Sequence, residues 1–282
     1  MRIARNLLEL NEAVASLRGA GRRIGLVPTM GALHHGHQAL VEEARRHAGA
    51  VAVSIFVNPL QFNPSEDLSR YPRDEEGDLR KLAGAGCDLV WMPPVEAMYP
   101  PGAATVIEVA GPSGGFEGTA RPGHFRGVAT VCAKLFNQTA ADVAVFGEKD
   151  WQQLQVVRRM VADLDMRLRI ISHATVREPD GLAFSSRNIR LSPAERALAP
   201  RLARRMREAI EAMGAGAPPP DVLAAATAAL RTDGFAPDYL ALVEPDTMRP
   251  WPAGRAGEAR LLAAAGLGDV RLLDNMAARL PG

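Results

Sequence analysis

From Arg23 onward the sequence alternates short β-branched apolar runs with stretches of helical period, and this alternation restricts the fold more than any other feature. Ile24 to Pro28 gives way to Gln38 to Ala48, and that to Ala50 to Val57, the pattern of a βαβ unit. Further apolar runs stand at Asp88 to Met92, Thr105 to Val109, Asp142 to Phe146 and Leu168 to Ser172, with amphipathic stretches between them such as Asp74 to Ala85 and Trp151 to Leu164. Strands separated by helices imply an α/β domain with a parallel sheet and right-handed crossovers. In open sheets of this kind the ligand lies beyond the carboxyl ends of the strands. The segments after three expected strands, Thr29 to His37, Asn58 to Tyr71 and Gly147 to Gln153, are polar and marked by Gly or Pro, so they are expected to converge on one crevice.

After about Arg177 the pattern changes. A loop with Pro179, Asp180 and Gly181 leads to a helix start at Ser192-Pro193, and a Gly, Ala and Pro stretch, Gly214 to Pro220, reads as a connector. A helical stretch at Asp221 to Arg231 and strand candidates at Tyr239 to Val243, Ala259 to Ala265 and Val270 to Asp274 suggest a smaller α+β domain. The expected division is 1–177 and 178–282.

Lys plus Arg total 33 against 32 for Asp plus Glu in a chain of 282 residues, so there is no global field to hold nucleic acid or a membrane surface. Any anion site must be local. The first apolar stretch, Leu7 to Leu10, is broken by Glu9 and is no signal sequence, and no run approaches spanning length, so a cytoplasmic protein is expected. Cys87 and Cys132 form no CxxC pair, and Cys132 lies in the apolar run Val128 to Leu135, so both read as small core or surface thiols.

Three segments favour anions. In the first, the strand ending at Pro28 runs through Thr29, Met30, Gly31, Ala32, Leu33, His34, His35, Gly36 and His37 straight into a helix. Gly31 and Gly36 permit close backbone approach, the helix N-terminus offers unpaired N–H groups, and His34 and His37, three apart in the first turn, can share one face toward phosphate oxygens. A metal site on His34, His35 and His37, a core histidine pair and plain surface polarity are competing readings; the first lacks a Cys or acidic residue at ligand spacing on this segment. In the second, Gly147, Glu148, Lys149 and Asp150 follow an expected strand, and a lysine there can reach phosphate as a mobile charge, while Asp150 can equally serve as a helix cap. In the third, Ser185, Ser186, Arg187 and Asn188 place two hydroxyls and a guanidinium in a row, or form an interdomain loop with a surface arginine. Together they suggest ATP. The long connection Val57 to Arg73 adds Gln61, and Gln153 follows the lysine segment; each amide offers both donor and acceptor to a small hydroxylated acid, or is an ordinary surface amide.

The segments PTMGALHHGH, FVNPLQFNPSEDLSRYP, RPGHFRGVATV, FGEKDWQQL and REPDGLAFSSRN resemble, in order and spacing, the successive motifs of the pantothenate synthetase family over nearly the whole chain. The resemblance implies a Rossmann-like domain of the HIGH-motif nucleotidyltransferase type with a smaller C-terminal lid, and a homodimer. It implies ATP-dependent joining of pantoate to β-alanine through pantoyl-adenylate, with Mg2+ accompanying the ATP. It also implies that Met30 to His37, Gly147 to Asp150, Val176 and Phe184 to Arg187 line the nucleotide site. His37, His34 and Lys149 would then be catalytic, and Gln61 and Gln153 would hold pantoate. Two positions depart from the family: His35, where an acidic residue is frequent, and Phe184, where Met or Leu is usual. The nearest rival is a nucleotidyltransferase that attaches AMP to a phosphorylated ligand. An RNA-binding module, suggested by the HxGH signature alone, fits poorly with the balanced charge.

Overall fold

The computed structural model describes residues 1–62, 68 and 71–281. Asn63-Pro64 and most of the polar loop that follows lie outside the described residues. The chain forms two compact units, Met1–Gly147 with Gln152–Ala174, and Glu148–Trp151 with Thr175–Gly282.

In the first unit, strands β1 (Arg2–Ala4), β2 (Ile24–Thr29), β3 (Ala50–Ile55), β4 (Leu89–Trp91), β5 (Val143–Gly147) and β6 (Arg169–His173) form one parallel sheet in the order β1-β4-β3-β2-β5-β6. Helices α1 (Leu7–Gly19), α2 (His35–His47), α3 (Glu75–Gly84), α4 (Val95–Met98), α5 (Phe116–Ala120), α6 (His124–Thr139) and α7 (Trp151–Asp163) connect the strands. The chain runs outward from β2 through β3 to β4, then returns to place β5 on the other side of β2. The order therefore reverses between β2 and β5, the switch point at which open α/β sheets bind ligands.

Central strands buried on both faces need continuous apolar runs, and Val27, Val51, Val53, Val90 and Val145 supply them. The α2 residues Leu40, Val41 and Ala44 close this core from one side. Cys87 and Cys132 are buried, and burial pushes their thiols up to about 11 and about 12, well away from thiolate at neutral pH.

The run Thr105 to Val109, expected as a strand, is irregular. Its Ile107 N–H donates to the Thr130 hydroxyl at 2.9 Å, a side-chain acceptor on α6 in place of a neighbouring strand.

The second unit packs α8 (Pro193–Leu198), α9 (Arg201–Gly214) and α10 (Pro219–Thr232) with an antiparallel sheet of β7 (Ala236–Val243), β8 (Gly257–Leu267) and β9 (Val270–Leu280). Met206, Met213, Leu230, Leu261 and Leu272 are central to its core. The stretch between Gly214 and Pro219 is a short connector, as its composition predicts. No helix among the described residues is long and apolar enough to cross a membrane.

Candidate active site

The loop leaving β2 at the switch point is held from α3. Asp78, buried, accepts hydrogen bonds from Ala32 N–H at 2.8 Å and Leu33 N–H at 2.7 Å, and Lys81 Nζ donates to Leu33 O at 2.8 Å. A carboxylate taking two backbone N–H groups is a charge-assisted clamp. It stabilises a turn in which Gly31 has φ +82° and Ala32 φ +51°, a region alanine visits rarely.

That turn delivers His34 as the N-cap of α2, one residue before the helix begins, so the helix starts at His35 and not at Gln38. His34 Nδ1 accepts from Gly36 N–H at 3.1 Å, and His37 Nδ1 accepts from His34 N–H at 3.3 Å. This is a capping box built from two imidazoles. Each Nδ1 uses its lone pair on a backbone donor, so in the neutral ring the proton sits on Nε2. The rings lie 4.1 Å apart between centroids. In the neutral state both rings are thus Nε2–H donors, a form that suits a phosphate oxygen. No group of three or more His, Cys, Asp or Glu side chains among the described residues is disposed to hold a metal.

Gln61 sits at the end of a 3-10 turn, Pro59–Gln61, after β3. Its Oε1 accepts from Asn58 Nδ2 at 3.0 Å and its Nε2 donates to Met30 Sδ at 3.0 Å, so the segments after β2 and β3 meet. Its carbonyl accepts from Arg121 Nη2 at 3.2 Å and bonds His124 Nδ1 at 2.9 Å. Asn58 is itself fixed by Tyr99 Oη, which donates at 2.8 Å. Gly127 touches the same turn: a Cβ there would stand 2.3 Å from Leu60 O and 2.7 Å from Gln61 N, an impossible approach to backbone.

In the second unit, Lys149, Ser185, Arg187, Asn188 and Asp274 line one recess. Lys149 Nζ lies 3.4 Å from Asp150 Oδ1. The Phe184 N–H donates to Val176 O at 3.0 Å, closing a hairpin whose tip is Gly181, and Ser185 Oγ accepts from Arg187 N–H at 3.2 Å to start the turn Ser186–Arg190.

The family model for pantoate-beta-alanine ligase matches residues 2–277. The chain belongs to this family. It is 55% identical to the pantothenate synthetase of Acidiphilium cryptum, over 98% of this chain and all of the relative. It superposes on the crystal structure of pantothenate synthetase from Thermus thermophilus with a TM-score of 0.91 at 49% identity, covering 98% and 99% of the two chains. A pantoate-beta-alanine ligase from Francisella tularensis, solved with β-γ ATP and β-alanine, has a TM-score of 0.81 at 32% identity and covers 98% and 97%.

Within this ligase family frame, the residues expected from sequence fall into two sets. Met30 to His37 and Gln61 come together in the first unit, and Lys149, Ser185 and Arg187 come together in the second. Gln153 is half-buried on α7. Its neighbour Gln152 faces inward instead, donating to Pro112 O and Gly114 O at 3.0 Å each and accepting from Glu117 N–H at 3.0 Å. One step along a helix turns a side chain by about 100°, which separates two glutamines that look alike in sequence. Sequence reasoning assigned no role to Asp78, Asn58, Arg121, His124 or Gly127. The RPGHFRG motif was a signal for three of them, but nothing in a linear sequence joins it to Gln61.

Proposed function

We propose that this ligase joins pantoate to β-alanine with ATP in two displacements, and that the loop and turn residues described above are its working groups. A pantoate carboxylate oxygen attacks the α-phosphorus of ATP, the bond to the bridging oxygen breaks, and pyrophosphate leaves. The β-alanine amine then attacks the acyl carbonyl, and AMP departs as pantothenate forms. No side chain serves as a nucleophile, so catalysis consists of aligning reactants and stabilising charge on phosphate.

The observation that carries this reading is the reciprocal histidine cap, which fixes His34 and His37 as Nε2–H donors at the β2–β5 switch point. His37 donates to the reacting phosphate and His34 shares the charge. Met30 to Gly36, Gly147 to Asp150, Val176 and Phe184 to Arg187 contact the nucleotide, with Lys149 as a point charge. Gln61 and Gln153 hold pantoate, which suits a Gln61 amide locked in direction by its own partners. Mg2+ enters as part of the MgATP substrate. The same family membership supports a homodimer acting in the cytoplasm, read by analytical ultracentrifugation and by cell fractionation.

The test is pyrophosphate exchange into ATP. Exchange that requires pantoate, with pantothenate formed on adding β-alanine, is expected. Exchange that responds only to a phosphorylated acceptor would favour the nucleotidyltransferase reading instead.

A further inference from the structure

The second unit carries a chain of buried polar side chains that the reaction as described leaves unused. Arg260 on β8 is 8% exposed and Asn275 on β9 is 3% exposed. Arg260 Nε donates to Asn275 Oδ1 at 2.7 Å, its Nη2 donates to Glu148 Oε2 at 3.0 Å, and its guanidinium lies 3.7 Å from the centre of the Trp151 ring. Asn275 Nδ2 donates to Glu148 O at 2.8 Å and to Lys149 O at 2.7 Å. Behind them, Asp274 accepts from Asn275 N–H at 2.7 Å and takes Arg177 in a two-point ion pair at 2.7 and 2.8 Å. Trp151 Nε1 donates to Pro245 O at 2.8 Å.

Burying a guanidinium is costly, and ion pairs of this kind are commonly replaceable by apolar residues without loss of stability. The arrangement is better explained by what it holds. The carbonyls of Glu148 and Lys149 belong to the two peptide planes on either side of the Lys149 Cα. Bonding both to one amide fixes the backbone angles there, and with them the direction in which the lysine side chain departs. The Asn275 amide cannot turn over without setting its NH2 against the Arg260 donor, so both of its N–H groups stay aimed at these carbonyls.

We propose that Asn275, backed by Arg260, is a positioning residue for the ligase reaction: it sets the peptide planes flanking Lys149 and so aims the ammonium. This rests on the reading of Lys149 as the cation for ATP. The effect of losing Asn275 should then pass through the lysine, as misplacement of a charged group by an ångström can cost about 100-fold.

The test is a double-mutant cycle on pantoate-dependent pyrophosphate exchange with Asn275→Ala, Lys149→Ala and the pair, with kcat, KM for ATP and thermal midpoint measured for each. Asn275→Ala is expected to lower kcat by about 10- to 100-fold in the parent and by less than about 3-fold once Lys149 is alanine. Asn275→Asp keeps the acceptor for Arg260 and loses both donors, so it should match Asn275→Ala; it also serves if the alanine variant does not fold. Equal losses in both backgrounds, or a lower midpoint with unchanged kcat, would overturn the positioning role alone. Parent-like turnover by Lys149→Ala would overturn the role of the lysine and the positioning inference with it.

Discussion

Gln61 and Lys149 are anchored in opposite ways. At Gln61 the side chain itself is bonded, with Oε1 and Nε2 both committed, and the backbone is tied down by Arg121 and His124 as well. At Lys149 the anchored part is the backbone, gripped through two successive carbonyls, while the ammonium lies at 3.4 Å from Asp150. The difference suits what each group is proposed to read. An amide discriminates by the direction of its donor and acceptor, so its last atoms must be fixed. An ammonium acts as a point charge with no donor direction to fix at its tip, so it is enough to set where its stem departs.

The sharpest way to break this comparison is to set truncations beside substitutions that keep charge or shape. Lys149→Ala and His37→Ala should each lower turnover by about 1000-fold, the scale of losing a donor to transition-state charge. Lys149→Arg, which retains the charge, should keep far more activity than Lys149→Ala. Gln61→Glu, which retains the shape and loses the donor, should be as impaired as Gln61→Ala. Steady-state kinetics on folded variants would refute the comparison if the arginine variant were as inactive as alanine and the glutamate variant near normal.

A second change addresses the Gln61 side alone. Gly127→Ala places a methyl group 2.3 Å from Leu60 O, against backbone that has no flexible end to yield. The Pro59–Gln61 turn must move, and kcat/KM for pantoate should fall by about 10- to 100-fold. Exchange kinetics with varied pantoate would detect it. An unchanged value would mean that the position of the Pro59–Gln61 turn does not set how Gln61 holds its ligand.

Both anchors illustrate what the sequence can and cannot carry. The βαβ unit from Ile24 to Ile55, strands β5 and β6 and the C-terminal strands were legible because their runs have clear periods and punctuation. Helix α6 was not, since Phe125, Val128, Val131, Cys132, Leu135 and Phe136 bury several of its faces and blur the polar-apolar period. Strand β1, three residues long, is too short to signal. The start of α2 was missed because a histidine, outside the usual Ser, Thr, Asp and Asn set, is the cap. At the candidate site, His34, His37, Gln61 and Lys149 each suggest a role from the local sequence alone. Their partners Asp78, His124 and Asn275 lie 45, 63 and 126 positions away along the chain from Leu33, Gln61 and Lys149, and only folding brings those pairs together.

The smallest effect supplies the control, a change that weakens the second unit without altering the lysine. Asp233 pairs with Arg201 Nη1 at 2.6 Å and Arg205 Nε at 2.7 Å, tying the end of α10 to α9. The Arg205 hydrogen bond, with Arg201 adding to it, holds the Asp233 carboxyl below the usual carboxylate range. A folded value lower than the unfolded one, about 3.9, means that the unfolded chain takes up the proton first as pH falls. The stabilisation is therefore complete above about pH 4 to 5 and is lost as pH drops through the folded value. Asp233→Asn should lower the thermal midpoint at pH 7 by about 2 °C, as befits a partly solvated ion pair worth up to about 1 kcal/mol. The gap from the parent should close in scans run below about pH 4, and kcat at 25 °C should not change. A fall in kcat comparable to that expected of Asn275→Ala would mean that any loosening of the second unit reaches Lys149, and the distinction between a root that is aimed and a unit that is merely stable would disappear.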